Sequence, residues 1–383
     1  MSKICLSGPS YALNFTDTGS QNHQFGCLRW LIHFHIPEAL PADGSPVAYS
    51  DVATSTDVPE KQLRPIARMA MLISFLAEPK PGMLGHSPTS LAFVKFPSLL
   101  TWAHFLTSTS SPMVHKMVEA TERWRGSPDK NHTAYNVAWD TDLPIFAHVA
   151  ESEERRGAYA AYMRDQTTSD GMALQNLANG FAWGDLSPGT TVVDVGGSGG
   201  HVSAFLAKVF PQLSFVVQDL PDTVAQTEAA ILAGTSAVPA DILSRVSFEG
   251  HDFFKPQIRT GVAVFLLRMI LHDWPAAEAA MILRNLAAAL QVGGRIIIMD
   301  TVLPRPGEGS RGAESVLRVR DLTMLQAHNA QERERGEWEE LVRQAGSSLV
   351  LRNVVQPFKS VMAVLEVSYE PIGLKRSRED DGE

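Results

Sequence analysis

A glycine-rich segment, from Thr191 to Phe210, reads TVVDVGGSGGHVSAFLAKVF. Four of its residues between positions 196 and 200 are glycine, and they separate a short apolar run from an amphipathic helical pattern. Glycine loses more conformational entropy on folding than any other residue, so such clustering needs a reason. We expect a ligand to approach the backbone here, where the free N–H groups of a helix N-terminus are available.

The spacing of the glycines argues against a dinucleotide site. The dinucleotide fingerprint places glycine at relative positions 1, 3 and 6, and neither register, starting at Gly196 or at Gly197, satisfies it. The pattern acid-x-Gly-x-x-x-Gly fits instead, as Asp194, Gly196 and Gly200. A carboxylate at the end of a strand is unfavourable beside a pyrophosphate and suits a cationic group.

Acidic residues also follow the next two strand-like runs. Asp219 lies about 20 residues past the glycine loop, where an acid typically binds both ribose hydroxyls. Asp252 and Phe253 follow the third run, so a carboxylate can accept from an exocyclic amine and a ring can lie against a purine. Ligands of open α/β sheets bind at the carboxyl ends of strands. A ribose, an adenine-like base and a positive charge together indicate S-adenosylmethionine.

His272, in LRMILHDWPAAEAAMIL, is the candidate general base. It follows the fourth strand-like run and therefore faces the same crevice. A phenol has a pKa of about 10, so methylation at its oxygen needs a base that titrates near neutral pH, such as histidine. Asp300 ends the fifth run and can orient the imidazole if the two strands are neighbours. Asp273, next to the base, can touch substrate or cap the following helix.

The sequence predicts no metal site. A bound Mg²⁺ with carboxylate ligands is the other way to ionise a phenol, but a histidine with a carboxylate makes it unnecessary.

Alternating strand-like and helix-like runs must position these residues. This alternation predicts an α/β fold with a mostly parallel sheet covered by helices. Two closing runs, SLVLRNVV and KSVMAVLEVS, are too close for a crossover helix and predict an antiparallel hairpin. The five parallel strands are expected at Thr191 to Val195, Ser214 to Gln218, Arg245 to Glu249, Val262 to Leu267 and Arg295 to Met299.

The first half of the chain has a different texture. Its first 26 residues are polar, with weak periodicity, and predict a loosely ordered arm. Short helical patterns then follow, and MLGHSPTSLAFV is a candidate strand pair. Helices followed by a β-hairpin are typical of a winged helix, whereas a generic helical domain is the simpler interpretation.

Composition narrows the possible partners and location. The formal net charge is −9, which disfavours a nucleic-acid partner. The two cysteines, Cys5 and Cys27, form no CxxC motif or paired framework, in keeping with a reducing cytoplasm. No apolar run approaches the roughly 20 residues of a membrane span, and the N-terminus lacks the apolar core of a signal peptide. We therefore expect a cytoplasmic protein without a membrane partner.

Four phrases, VVDVGGSGGH, FVVQDLP, GHDFF and LLRMILHDW, resemble the S-adenosylmethionine-dependent O-methyltransferases of the caffeic-acid type. The serine within the glycine loop and the phrase VVQDLP are most similar to the fungal secondary-metabolite branch. The resemblance covers roughly Ala48 to Tyr369. It implies a winged-helix dimerisation domain, a Rossmann-like class I methyltransferase domain and a homodimer.

The resemblance also implies roles for individual residues. Glu332 would be a second carboxylate beside the histidine, while Met324 would lie against the substrate ring and Asn329 would hydrogen-bond near it. The residues expected to contact the cofactor are Gly196, Gly197, Asp219, Asp252, Phe253 and Arg268.

Two features depart from the family pattern. Family members usually have glutamate where Asp300 stands. They also carry more helical sequence ahead of the winged helix, which builds the dimer.

Together these patterns predict four regions. They are an arm over residues 1–26, a winged-helix-like dimerisation domain with linking helices over 27–150, an S-adenosylmethionine-binding domain over 151–370 and a disordered tail over 371–383.

The predicted function is methyl transfer from S-adenosylmethionine to an aromatic hydroxyl of a polyketide or phenolic secondary metabolite. Two alternatives remain open: an enzyme of the same fold that keeps the cofactor but performs decarboxylation or cyclisation, and a winged-helix binding protein that only senses the cofactor.

Overall fold

A computed structural model describes residues 11–167 and 169–371 of the chain. The described residues form two compact units. The first comprises the chain up to Val118 together with Phe146–Thr167, and the second comprises Glu119–Ile145 and the chain from residue 169 onward. The predicted tail, apart from Pro371, lies outside the described residues.

Helices and strands are numbered along the chain. The helices are α1 Tyr11–His33, α2 Tyr49–Ser55, α3 Glu60–Met71, α4 Pro88–Lys95, α5 Pro97–Phe105, α6 Ser111–Val114, α7 Met117–Trp124, α8 Ala134–Trp139, α9 Ile145–Ala150, α10 Glu153–Thr167, α11 Leu174–Gly180, α12 His201–Val209, α13 Pro221–Leu232, α14 Ala276–Ala287, α15 Arg311–His328 and α16 Arg335–Ala345. The strands are β1 Val47–Ala48, β2 Ala77–Lys80, β3 Met83–Gly85, β4 Thr191–Val195, β5 Ser214–Asp219, β6 Val246–Gly250, β7 Val262–Arg268, β8 Leu290–Asp300, β9 Val302–Leu303, β10 Arg333–Glu334, β11 Leu349–Val355 and β12 Ala363–Tyr369.

The first unit is helical around a three-stranded antiparallel sheet of order β1-β3-β2. The sequence predicts a loosely ordered arm over residues 1–26; residues 1–10 lie outside the described part of the chain, whereas residues 11–26 belong to α1, which runs from Tyr11 to His33. Leu31 at the end of α1 is fully buried among the apolar side chains of α2 and α3. This packing stabilises α1, although the weak hydrophobic periodicity of its sequence did not predict a helix.

The hairpin of the first unit also lies earlier than expected. The sequence suggests a strand pair within residues 83–94, but the hairpin is formed by β2 and β3, and α4 follows it. Ser87 and Ser90 form a capping box at the start of α4, and Pro88 occupies its first turn. These are strong helix-start signals, which override the weak strand propensity of the segment.

The second unit contains a seven-stranded sheet of order β11-β12-β8-β7-β4-β5-β6. Strands β4 to β8 are parallel to one another, whereas β12 is antiparallel to β8 and to β11. This confirms the predicted mostly parallel sheet with an antiparallel C-terminal hairpin. The central parallel strands β4, β5 and β7 are buried on both faces, consistent with their runs of apolar residues, whereas the edge strand β6 has only Val246 buried.

The unit boundaries differ from the predicted division at residue 150. The first unit includes α10, which packs on α5 through Phe105 and Tyr162, whose stacked ring centroids are 3.5 Å apart. The second unit includes residues 119–145, where α8 contacts α15. Both contacts join segments distant in sequence, so periodicity cannot anticipate them.

No helix within residues 11–167 and 169–371 combines the length and apolar character needed to cross a membrane.

Candidate active site

The glycine loop connects β4 to α12 and tolerates no side chain at two positions. Gly196 has a φ of +71°, and a Cβ there would lie 2.5 Å from Cδ1 of Ile270 and 3.8 Å from Cε1 of Phe253. A Cβ on Gly197 would lie 2.8 Å from Cγ of Asp194. The loop is therefore packed against the ends of β4, β6 and β7, as the sequence predicts for a single crevice.

Asp194, which the sequence suggests as a partner for a cationic group, lies beneath this loop. Only 2% of it is exposed, and its Oδ2 accepts a hydrogen bond of 2.7 Å from Oγ of Ser203 in α12. Burial raises the pKa of the Asp194 carboxyl to about 6, although Ser203 and Arg268 oppose the shift. The hydrogen bond between Asp194 and Ser203 therefore connects β4 to α12 across the glycine loop.

Asp219 is half-buried at the carboxyl end of β5. Its Oδ2 accepts a hydrogen bond of 2.8 Å from the backbone N–H of Ser198, and its Oδ1 accepts one of 2.8 Å from Leu220. This carboxylate therefore joins the glycine loop to the carboxyl end of β5.

Asp252 and Phe253 lie together after β6, both half-buried. Oδ1 of Asp252 accepts a hydrogen bond of 2.9 Å from the N–H of Phe254, which shapes the turn. The ring of Phe253 packs edge-on against Trp274, with centroids 5.7 Å apart. An acid and an aromatic ring are thus presented at the same strand end.

Arg268 ends β7 and is 9% exposed. Its Nη2 donates to the carbonyl of Met172 at 2.9 Å, while its Nε is buried and has no hydrogen-bond partner within the described residues. Burial lowers the pKa of Arg268 to about 10, against the attraction of Asp194 and Asp300. An unpaired buried donor costs free energy, so this N–H fits a polar ligand group in the crevice.

His272 lies in a buried turn, Leu271–Asp273, directly after β7. Its Nδ1 is 2.9 Å from Oδ1 of Asp300 and 3.3 Å from Oε1 of Glu332. The aspartate reaches it because β7 and β8 are neighbours, and the glutamate because β10 pairs with β9 directly after β8. All three predicted catalytic residues are therefore brought together.

These carboxylates decide the charge of His272. Burial by itself lowers the pKa of the imidazole, but the charges of Asp300, Glu332 and Asp273 outweigh burial and raise the pKa well above its ordinary value. The positive imidazole in turn lowers the pKa of Glu332, against its own burial. Because Asp300 and Glu332 both approach Nδ1, the proton of a neutral imidazole stays on Nδ1. Nε2 is then the ring nitrogen that can accept a proton.

Asp273 bridges two histidines. Its Oδ1 is 3.5 Å from Nε2 of His272 and 3.8 Å from Nε2 of His328, which is buried at the end of α15. The sequence leaves two roles open for Asp273, contact with substrate and capping of the following helix. The residue that precedes α14 is Pro275, which makes no side-chain cap, so capping by Asp273 is not observed.

One nitrogen and two carboxylate oxygens of His272, Asp300 and Glu332 lie within 4.8 Å of one another. The sequence predicts no metal site, yet this spacing is also one that an ion could occupy. Because both carboxylates approach the same ring nitrogen, the contacts equally suit a hydrogen-bonded imidazole. Removal of metal ions therefore belongs in any assay of this site.

Two of the three expected substrate residues, Met324 and Asn329, lie on and directly after α15. Met324 is half-buried in this helix. Asn329 caps the helix in the left-handed conformation, with a φ of +53°, and its amide nitrogen donates to the carbonyls of Ser127 and, at 3.0 Å, of Asp129. Its N–H groups thus hold the segment before α8, whereas the sequence places Asn329 beside the substrate.

Three residues around His272 are not among the site residues that the sequence predicts. They are His328, Arg320, whose Nε lies 3.4 Å from Oε1 of Glu332, and Arg333, whose guanidinium donates to the carbonyls of Leu271 and Trp274. His328 precedes Asn329 and Arg333 follows Glu332, and this adjacency is the only feature of the sequence that indicated either residue.

Comparison with known proteins identifies the kind of domain. Residues 125–348 match the family model described as an O-methyltransferase domain. The chain is 46% identical over 340 residues to the O-methyltransferase VdtC of Byssochlamys spectabilis, covering 89% of this chain and 78% of the relative. It is 44% identical over 370 residues to the O-methyltransferase aurJ of Gibberella zeae, covering 95% and 83%.

Solved structures share the fold. The crystal structure of OxaC aligns with a TM-score of 0.77 at 20% identity, covering 95% of this chain and 88% of that one. The mitomycin 7-O-methyltransferase MmcR aligns with a TM-score of 0.74 at 20% identity, covering 94% and 97%.

Proposed function

The chain belongs to the O-methyltransferase family, whose methyl donor is S-adenosylmethionine, and we propose that it methylates an aromatic hydroxyl group with His272 as the general base. The acceptor we propose is a polyketide or phenolic secondary metabolite, in keeping with relatives from fungi.

The observation that carries this proposal is the buried contact of His272 with Asp300 and Glu332. The two carboxylates hold the proton on Nδ1 and stabilise the imidazolium that forms when Nε2 accepts a proton. Nε2 would accept the proton of the phenol, whose oxygen would form the new bond to the methyl carbon while the bond from that carbon to sulfur breaks and S-adenosylhomocysteine leaves. A positioned base of this kind typically contributes about 10² to 10⁴ in rate.

The raised pKa of His272 sets a condition on this role. A protonated imidazole cannot accept a proton, so methyl transfer requires that His272 first lose its own. A positive charge in the crevice lowers the pKa of His272, because like charges disfavour protonation. We expect the rate to rise with pH on the acidic side of the profile.

The strand ends provide groups suited to the methyl donor. The donor supplies an electrophilic methyl group on a positively charged sulfur. Asp219 is proposed to accept from the ribose hydroxyls, and Asp252 and Phe253 to bind the adenine. The bare backbone at Gly196 and Gly197 admits the cofactor, and the unpaired Nε of Arg268 is a donor for one of its polar groups.

Met324, Asn329 and Asp273 are proposed to lie near the acceptor. For Asp273, proximity to Nε2 of His272 supports this placement. For Asn329, only its Oδ1 would serve, since its amide nitrogen already holds Ser127 and Asp129.

A homodimer built through a winged-helix-like first unit is part of the proposal, based on family resemblance. Light scattering at micromolar concentration should find twice the mass of the 41.8 kDa chain. A monomer would contradict it.

The test is incubation with S-adenosylmethionine carrying a labelled methyl group and a panel of naphthols, dihydroxynaphthalenes and hydroxyanthraquinones, with and without EDTA. Label in an aryl methyl ether, unaffected by EDTA, supports a metal-independent O-methyltransferase. Loss of transfer with EDTA would show that transfer requires a metal ion, for which the cluster of His272, Asp300 and Glu332 is the candidate site. Cofactor binding without transfer to any acceptor would favour the alternatives, a cofactor-retaining lyase or cyclase, or a cofactor sensor.

A further inference from the structure

We infer that Arg333 is the positioning residue for the turn that carries His272. This inference rests on the proposed role of His272. The hydrogen bonds of Arg333 go to the main chain on either side of His272 and not to its imidazole. Its Nη1 donates to the carbonyl of Leu271 at 2.8 Å, and its Nη2 donates to the carbonyl of Trp274 at 2.9 Å. The two carbonyls flank His272 and Asp273.

This two-point contact restrains the backbone of the turn. A guanidinium is planar and presents its N–H groups in a rigid fork, so two carbonyls bound to it are held at a set separation and orientation. Hydrogen bonds from a charged donor are also stronger than those between neutral groups. With Leu271 and Trp274 held, the Cα–Cβ direction of His272 between them is restrained too.

Arg333 is buried, and its guanidinium group is needed for more than filling space. Only 1% of the residue is exposed. Burial lowers its pKa, and the charges of Asp300, Glu332 and Glu337 act against this shift. A buried cation costs several kcal/mol unless it is well compensated, and an apolar side chain of similar size often serves packing better. Packing alone therefore does not account for arginine here.

The indole ring of Trp338 packs against the guanidinium group of Arg333. The Cζ of Arg333 lies 5.3 Å from the centroid of the indole ring, and the indole Nε1 donates to the carbonyl of Thr301 at 3.1 Å. Thr301 follows Asp300 directly. The same group of contacts therefore connects the turn of His272 with the strand end that supplies its carboxylate.

Arg333 and Glu332 are consecutive residues that act on the same histidine from two sides. Glu332 approaches the ring nitrogen, while Arg333 holds the backbone of the turn. Successive side chains of an extended segment point in opposite directions, and Arg333, the residue after Glu332, begins β10 and pairs with Val302 of β9. The short pairing of β10 with β9 thus places Arg333 beside the turn of His272 and Glu332 beside its imidazole.

The experiment compares Arg333→Lys with Arg245→Lys by amide hydrogen exchange and by NMR of the histidine rings in the protein without ligands. Arg245 is the control, because it is a half-buried arginine whose Nη1 donates to two main-chain carbonyls away from this turn, those of Ala207 and Leu213, at 2.6 and 3.2 Å. Lysine keeps the charge at either site, but at position 333 its single nitrogen cannot replace the two nitrogens of the fork.

For Arg333→Lys we expect exchange of the Asp273 and Trp274 amides to rise at least about tenfold and the ring resonance of His272, assigned with His272→Ala, to shift. The dissociation constant of S-adenosylhomocysteine should stay within about twofold, since no contact of Arg333 is with the proposed cofactor groups. Arg245→Lys should leave both the two amides and the ring resonance unchanged.

Equal changes in the two variants, or none at the turn, would overturn the inference. Trp338→Phe, which removes the contact with Thr301, provides a second variant and should produce a smaller change in the same amides. Neither readout depends on methyl transfer, so failure of the proposed function and failure of the role of Arg333 are distinguished.

Discussion

At the scale of single residues, His272 shows how neighbours decide what a side chain can do. Three carboxylates surround its ring, and their charges raise its pKa despite complete burial. Such an imidazole keeps its Nδ1 proton and, once Nε2 is free, is a stronger base than an isolated histidine.

His272→Ala tests this role directly. We expect the rate of methyl transfer at neutral pH to fall by roughly 10² or more, with unchanged affinity for S-adenosylhomocysteine, because the proposed base does not contact the cofactor and the sulfur of this product carries no charge. Raising the pH toward the pKa of the phenol should restore part of the rate. The measurement is a pH–rate profile beside that of the unmodified enzyme and of His86→Ala, a histidine of the first unit that hydrogen-bonds Ser90. A near-normal rate at neutral pH would remove His272 from the mechanism, and a loss without recovery would indicate a positioning role.

Asp219 provides the second test at this scale. Asp219→Ala should weaken S-adenosylmethionine binding at least about tenfold, since each ribose hydroxyl left without a partner costs about 1–3 kcal/mol and the N–H of Ser198 also loses its acceptor. Calorimetry measures the affinity, with Asp222→Ala, an exposed acid at the start of α13, as the control. Unchanged affinity in Asp219→Ala would exclude the assigned contact.

At the scale of elements, the end of α15 fastens a distant segment within the second unit. Asn329 closes the helix in the left-handed conformation and holds the carbonyls of Ser127 and Asp129. Nearby, Lys130 lies over the ring of Trp274 at 4.4 Å and forms an ion pair with Glu278 at 3.2 Å. Contacts from α14, α15 and the turn after His272 therefore converge on this segment.

Two substitutions of Asn329 separate its conformation from its hydrogen bonds. Asn329→Gly keeps the left-handed backbone but loses both bonds, so we expect a loss of about 1–3 kcal/mol in the free energy of unfolding. Asn329→Ala should lose about 1–2 kcal/mol more, because a Cβ disfavours that conformation. Urea unfolding measures both, and exchange at the amides of residues 127–130 should increase in each. Full stability together with a raised KM for the acceptor would instead favour a contact with substrate alone.

At the scale of the whole molecule, stability depends on buried charge. Burial raises the pKa of Asp194 from 3.8 to about 6. The folded protein therefore holds a proton on this carboxyl in the interval where the unfolded chain has lost it. The corresponding contribution to stability is complete below 3.8 and is lost as the pH rises through about 6.

Asp194→Asn removes this titration while keeping an acceptor for Ser203. The thermal midpoint of the variant, relative to the unmodified protein, should rise between about pH 4 and pH 6 and then stay level. Scanning calorimetry without cofactor measures the difference, and Asp185→Asn, an exposed acid of the same unit, is the control. Parallel curves for Asp194→Asn across this interval would show that its carboxyl is not perturbed.

The sequence alone determined the parallel sheet, the glycine loop and the acids at the strand ends. These are local patterns: apolar runs specify buried strands, glycines mark a backbone without room for side chains, and the residues after parallel strands share one edge. The loop at Gly196 and the position of His272 after β7 followed from this reasoning, since each depends only on a strand and the residues next to it.

Only the tertiary structure decided which distant residues meet. Glu332 lies 60 residues from His272, and Asn329 lies 202 residues from Ser127, so no periodicity connects either pair. The pairing of β10 with β9 and the packing of α15 bring them together. The same is true of Arg333, whose fork binds main-chain carbonyls. A carbonyl is present at every residue, so only the folded backbone shows which two an arginine can reach.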